Sequence, residues 1–154
     1  MSELDTLNRP ILLVEDNPMD LDLTKRAFAK RKLLNPIEVA RDGEEALDYI
    51  SHWETGEPLP VVILLDLKMP KVHGLEVLRR IKAHTRFRSV PVVVLTSSSE
   101  DHDVETAYAL GANSYIVKPV SFEKFLEIAE HIELYWAVLN HPPRCTDPDG
   151  ENQV

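Results

Sequence analysis

Polar side chains suited to phosphate or metal chemistry come directly after four short apolar runs of this sequence. Runs of this kind are typical of buried strands, so the polar residues that follow them are predicted to lie at strand ends. In chain order they are Glu15 and Asp16 after 11–14, Asp66 after 61–65, Thr96 after 90–95, and Lys118 after 114–117. These five side chains are the first candidates for a functional site.

Their types predict a site that binds Mg²⁺ and a phosphoryl group. Glu15, Asp16 and Asp66 would repel one another if they met without a cation. The positive charge of Mg²⁺ would relieve that repulsion. Mg²⁺ also suits such a site because it prefers a few carboxylates together with water and phosphate oxygens. Lys118 supplies a positive charge for a phosphoryl oxygen, and Thr96 supplies a hydroxyl. A carboxylate neutralised in this way can attack phosphorus, so the set is typical of an aspartyl-phosphate site.

The elements that must position these residues alternate between strands and helices. Strands are predicted at 11–14, 37–40, 61–65, 90–95 and 114–117. Helices are predicted from Asn17-Pro18 onward and at 44–53, 74–84, 101–111 and about 121–139. This alternation indicates five parallel strands with helices on both faces, a doubly wound α/β fold. Ligands of such sheets bind at the carboxyl ends of the strands.

Composition limits the classes of protein that fit. The 154 residues suit one domain, and 44% hydrophobic residues are enough for a core. A net charge of −9 argues against binding to nucleic acid through a basic surface. We expect no membrane span, because no apolar run is long enough. The single Cys145 fits a reducing cytoplasm, so we expect a cytoplasmic protein.

Four motifs, each at a predicted strand end, resemble the receiver domain of two-component response regulators. They are "LLVEDNP" (12–18), "ILLDLKMPKVHGLEVLRRIK" (63–82), "VVVLTSSS" (92–99) and "GANSYIVKPV" (111–120). The resemblance implies the chemotaxis-type, flavodoxin-like fold with strand order 2-1-3-4-5 and five helices. It also implies a signalling protein that takes a phosphoryl group from a sensor histidine kinase.

The resemblance implies a role for each site residue. Asp66 would be the phosphoacceptor, and Thr96 and Lys118 would contact the phosphoryl group. Mg²⁺ would be held by Glu15, Asp16, Asp66 and the backbone carbonyl of Lys68. The backbone N–H groups of Ser97 and Ser98 would face the phosphate, and Tyr115 would be the aromatic that turns inward with Thr96. The peptide bond between Lys118 and Pro119 would be cis, as only X–Pro bonds commonly are.

The predicted organisation is an N-terminal extension (1–9), a receiver domain with an extended C-terminal helix (10–140) and a disordered tail (141–154). We expect no effector domain in the chain, so the output would pass through protein binding. The wide apolar arc of the last helix favours a homodimer through helix four, strand five and helix five. The ending "YWAVLN" resembles phytochrome-associated single-domain response regulators, which implies a bacteriophytochrome as the kinase.

Three other classes of protein share part of this pattern. A degenerate receiver would act as a protein-binding module without phosphorylation, but the complete set of acids, Thr96 and Lys118 argues against it. A hydrolase with an aspartyl-phosphate intermediate needs an acid two residues after the nucleophile, where this chain has Lys68. A flavodoxin-like cofactor binder needs glycines in the first βα turn, which here reads "EDNPMD".

Overall fold

The structure is a computed structural model that describes residues 9–119, 121–134 and 136. Within these residues the strands are β1 (Ile11–Val14), β2 (Ile37–Ala40), β3 (Val62–Leu65), β4 (Val92–Thr96) and β5 (Ser114–Val117). The helices are α1 (Pro18–Lys30), α2 (Gly43–Glu54), α3 (Gly74–Ala83), α4 (Asp101–Ala109) and α5 (Phe122–Ile132). The predicted extension of the last helix to 139, the tail at 141–154 and nearly all of the predicted N-terminal extension lie outside the described residues.

All five strands are parallel and are ordered β2-β1-β3-β4-β5. The predicted doubly wound fold and strand order are therefore confirmed. β4 starts at Val92 rather than at Val90, because Pro91 has no backbone N–H to donate to the sheet. The strand also runs one residue further than predicted, so that Thr96 is its last residue.

Strand residues alternate between two apolar layers, one on each face of the sheet. On one face, residues such as Val14, Leu65 and Val94 pack against α2, α3 and α4. On the other face, residues such as Leu13 and Leu64 pack against α1 and α5. β1, β3 and β4 are buried on both faces, as expected for the central strands of a parallel sheet that helices cover on both sides.

Local sequence signals fix the start of α1 beside the predicted site. The side chain of Asn17 accepts hydrogen bonds from the backbone N–H groups of Met19 (2.9 Å) and Asp20 (3.2 Å). Pro18 occupies the first turn, where its missing N–H costs no helical bond. The predicted inward stripe, Leu21, Thr24, Ala27 and Phe28, is buried. None of the helices formed by the described residues is long and apolar enough to cross a bilayer.

Candidate functional site

The parallel register brings the predicted site residues to one edge of the sheet. The backbone N–H of Asp66 donates to the carbonyl of Val14 at 2.9 Å, which places the ends of β1 and β3 side by side. The N–H of Lys118 donates to the carbonyl of Thr96 at 2.7 Å, which does the same for β4 and β5. The sequence prediction that these strand ends meet is confirmed.

Three carboxylates form a cluster at this edge. One side-chain oxygen each of Glu15, Asp16 and Asp66 lies within 4.8 Å of the other two. Glu15 and Asp66 are only 8% and 5% exposed, whereas Asp16 is exposed. Oε2 of Glu15 is buried without a hydrogen-bond partner. A buried, unpaired carboxylate oxygen beside two further acids fits a hard divalent cation that would complete its coordination.

The positive charge of Lys118, at the end of β5, offsets part of the negative charge of the three carboxylates. Its Nζ lies 3.0 Å from Oδ2 of Asp66 and also forms a salt bridge with Glu15. A third carboxylate, that of Asp20 in the first turn of α1, lies 2.8 Å from the same Nζ. Burial by itself lowers the pKa of the Lys118 amine, but hydrogen bonds to Asp20 and Glu15 raise it above its ordinary value. The amine is therefore a permanent cation within the site.

The pKa values of the two buried carboxyl groups are shifted in opposite directions. Burial, and next the adjacent carboxyl group of Asp66, raise the pKa of Glu15 to about 8. Burial also disfavours the charged form of Asp66, but the adjacent Glu15 carboxyl and the charge of Lys118 outweigh it, so the pKa of Asp66 is lowered. Of this pair, Glu15 is therefore the weaker acid and Asp66 the stronger one. Asp66 is then an ionised carboxylate in a largely dehydrated setting, which suits a nucleophile.

The loop that follows β4 connects the acceptor edge to α4 through Ser98. Thr96 is fully buried, and its Oγ1 accepts a long hydrogen bond of 3.5 Å from the N–H of Ser98. The carbonyl of Ser98 accepts a hydrogen bond of 2.8 Å from the hydroxyl of Tyr115. The half-buried Tyr115 therefore points towards this loop. Ser97 is exposed at the same strand end.

The loop that follows β3 is held against Asp66 by a glycine. A Cβ on Gly74 would lie 2.2 Å from the carbonyl oxygen of Asp66 and 2.6 Å from Cα of Leu67. The N–H of Gly74 donates to the carbonyl of Leu67 at 2.8 Å, and the N–H of Lys68 donates to Oδ1 of Asp66 at 3.3 Å. The start of α3 is thus packed directly on the backbone that carries Asp66.

One prediction about this site is wrong. There is no cis peptide bond among the described residues, and the bond between Lys118 and Pro119 is trans. The trans form of an X–Pro bond is intrinsically the more stable one. With this bond trans, the amine of Lys118 already reaches Glu15, Asp20 and Asp66.

Sequence reasoning missed Asp20 and Asp103. Asp20 belongs to the first helical turn, where acids are common for reasons of the helix dipole alone. Its place in the first turn of the helix that follows β1 was the available signal, because that turn lies beside the strand end. Asp103 is 8% exposed and accepts a hydrogen bond of 2.5 Å from the hydroxyl of Ser98. Its place in an acidic helix start gave no sign of burial.

The chain belongs to the response regulator receiver domain family, whose family model matches residues 11–130. The similar curated proteins include the probable methanogenesis regulatory protein FilR2 of Methanothrix harundinacea, 48% identical over 134 residues and 86% of each chain. They also include response regulator Rcp1 of Synechocystis sp., 34% identical over 138 residues, 88% of this chain and 94% of Rcp1.

Solved structures place the chain among homologues of phytochrome response regulators. The phosphorylated cyanobacterial phytochrome response regulator RcpA superposes with a TM-score of 0.82 at 34% identity, covering 89% of this chain and 99% of RcpA. The bacteriophytochrome response regulator AtBRR gives a TM-score of 0.68 at 50% identity, covering 87% and 99%. The Mn²⁺-bound form of Rcp1 gives 0.79 at 33% identity, covering 88% and 99%.

Proposed function

We propose that this response regulator accepts a phosphoryl group on Asp66 from a histidine kinase and then changes a protein-binding surface. The observation that carries the proposal is the buried carboxyl group of Asp66, which lies between the amine of Lys118 and the acids Glu15 and Asp16. The phosphorylated state of RcpA, a homologue of similar length, supports the same reaction here.

In the proposed reaction a carboxylate oxygen of Asp66 attacks phosphorus. The O–P bond forms while the P–N bond to the kinase histidine breaks, and the histidine leaves with that electron pair and takes a proton from solvent. Lys118 holds a phosphoryl oxygen, and the hydroxyl of Thr96 and the N–H groups of Ser97 and Ser98 hold others. Glu15, Asp16, Asp66 and the carbonyl of Lys68 are the proposed ligands of Mg²⁺. The metal would neutralise charge on the phosphoryl oxygens.

Mg²⁺ is the cation that we favour for this acid cluster. Its preference for a few carboxylates, water and phosphate oxygens matches a site with one exposed and two buried acids. Rcp1 has been solved in an Mn²⁺-bound form, which supports binding of a divalent cation by this chain. Mn²⁺ is accordingly a useful probe in place of Mg²⁺.

The proposal includes the protein's partners. Similarity to RcpA and AtBRR supports a phytochrome-type sensor kinase as the phosphodonor. Exposed apolar side chains on α4 and at the end of β5, Tyr108 (50%) and Val117 (46%), support a homodimer through the α4, β5 and α5 face. The net charge of −9 supports protein rather than nucleic-acid partners. We also propose that the protein is cytoplasmic and that it accepts a phosphoryl group without acting as a turnover enzyme.

Phosphoryl uptake from a small donor tests the proposal without knowledge of the kinase. The protein is incubated with phosphoramidate, with Mg²⁺ or with EDTA, and its intact mass is followed over time. We expect a gain of one phosphoryl group with Mg²⁺ and little with EDTA. If no gain occurs under either condition, the phosphorylation-independent binding module replaces this proposal.

A further inference from the structure

Ser98 is a junction at which the acceptor edge, Tyr115 and helix α4 meet. Its N–H faces Oγ1 of Thr96 at 3.5 Å, and its carbonyl accepts from the hydroxyl of Tyr115 at 2.8 Å. Its own hydroxyl donates to Oδ2 of Asp103 at 2.5 Å. Only 4% of Ser98 is exposed, so these bonds form in a nearly dry environment. A displacement of Ser98 must therefore disturb each of these partners.

The contacts of Ser98 differ in strength. The N–H to Thr96 contact is long and weak, whereas the bond to Asp103 is short and has an anionic acceptor, which about doubles the strength of a hydrogen bond. Asp103 is itself 8% exposed, and a buried carboxylate is costly without a donor. The Ser98 hydroxyl is also 3.4 Å from the N–H of Glu100, the residue before α4. Ser98 is thus attached firmly to α4 and loosely to Thr96.

We propose that Asp103 is a positioning residue that transmits the phosphorylation state of Asp66 to helix α4 through its bond to Ser98. This inference rests on the proposed function, since it requires a phosphoryl group on Asp66. When that group attracts the Thr96 hydroxyl and the Ser98 N–H, the weak bond between these two groups is replaced by hydrogen bonds from each of them to the phosphoryl oxygens. Because Ser98 remains bound to Asp103, its movement carries the first turn of α4 with it.

The proposal assigns separate roles to the two acids at the start of α4. Asp101 and Asp103 both lie in the first turn, and both are negative charges at a helix N-terminus. Asp101 is exposed, whereas Asp103 is buried against Ser98. Asp101→Ala therefore controls for the loss of one helix-dipole charge. Asp103→Ala removes the same charge and, in addition, the bond to Ser98.

The experiment uses ¹⁹F NMR on the full chain labelled with 3-fluorotyrosine. Tyr108, half-exposed on α4, reports on the helix, and Tyr→Phe variants assign its resonance. Beryllofluoride with Mg²⁺ serves as a stable mimic of the acyl phosphate, and its own bound resonances report occupancy of the site. We expect occupancy to shift the Tyr108 resonance in the wild type and in Asp101→Ala. In Asp103→Ala, with beryllofluoride bound, we expect about half of that shift or less.

Asp103→Asn is a second variant, which keeps an acceptor for Ser98 without the charge and protects the test against misfolding of the alanine variant. We expect an intermediate Tyr108 shift in Asp103→Asn. A full wild-type shift in the folded Asp103 variants, with beryllofluoride bound, overturns this inference and leaves the proposed function standing. Failure of the wild type to bind beryllofluoride at all overturns the proposed function, and this inference with it.

Discussion

The amine of Lys118 lies 3.0 Å from Oδ2 of Asp66, so a cation from β5 directly contacts the carboxylate at the end of β3. The strands that carry them are separated by β4. Burial of both side chains removes most of the competing water. The contact keeps Asp66 ionised and places a positive charge where phosphoryl oxygens would lie.

Metal affinity should depend on pH through Glu15. Burial, and next the adjacent carboxyl group of Asp66, raise the pKa of Glu15 to about 8, so below that pH a metal must displace a proton. We expect the affinity for Mg²⁺ to rise by up to about tenfold per pH unit below this pKa and to level off above it. Calorimetric titration at about pH 6.5 and about pH 8.5, in buffers of different ionisation enthalpy, measures affinity and proton release together.

Glu15→Gln is the control for this dependence, because the amide cannot release a proton. We expect this variant to bind Mg²⁺ weakly and with little change over the same range. Equal affinity of the wild type at both pH values, without proton release, would show that Glu15 is not the titrating ligand.

Asp20 should strengthen metal binding although it is not a predicted ligand. It neutralises part of the charge of Lys118, 2.8 Å away, which otherwise opposes a cation at Glu15, Asp16 and Asp66. We expect Asp20→Asn to raise the Kd for Mg²⁺ by about threefold to tenfold. Asp22→Asn is the matched control, since Asp22 lies on the same helix and pairs with Arg26 at the surface. Equal Kd values for the two variants would contradict this role.

Gly74 should be required for stability because α3 packs on the backbone of Asp66. A Cβ there would lie 2.2 Å from the carbonyl oxygen of Asp66, and neither backbone can move freely. We expect Gly74→Ala to lower the free energy of unfolding by about 2–4 kcal/mol, measured by urea denaturation. At Gly56 a Cβ meets nothing within 4 Å, although φ is +101°. Gly56→Ala should therefore cost only about 1 kcal/mol, and an equal loss in both variants would refute the contact as the cause.

The fold was predictable because buried parallel strands have unbroken apolar runs in their sequences. The runs ending at Val14 and Leu65 located both the sheet and the carboxylates that follow. Strand order came from the family resemblance and is confirmed. The exact start of β4 was missed, because the apolar pattern continues through Pro91 although the hydrogen bonding does not.

The parts of the site that sequence reasoning missed depend on side-chain direction. Asp20 and Asp103 both lie in acidic helix starts, where the same residue type is expected whether or not it faces a partner. The isomer of the Lys118–Pro119 bond is set by tertiary contacts, which the dipeptide itself does not encode. Sequence motifs thus located Asp66 and the other family-like site residues. The contacts of Asp20 and Asp103 became apparent only from the structure.

The most direct measurement of the central claim is the location of the phosphoryl group. Wild type, Asp66→Asn and Asp48→Asn are incubated with phosphoramidate and Mg²⁺, and their intact masses are compared. Asp48 is an exposed residue of α2 and serves as the control. We predict one phosphoryl group on the wild type and on Asp48→Asn, and none on Asp66→Asn, which keeps the shape of the side chain but lacks the nucleophilic carboxylate. Equal phosphoryl gain in Asp66→Asn would contradict the assignment of Asp66 as the acceptor.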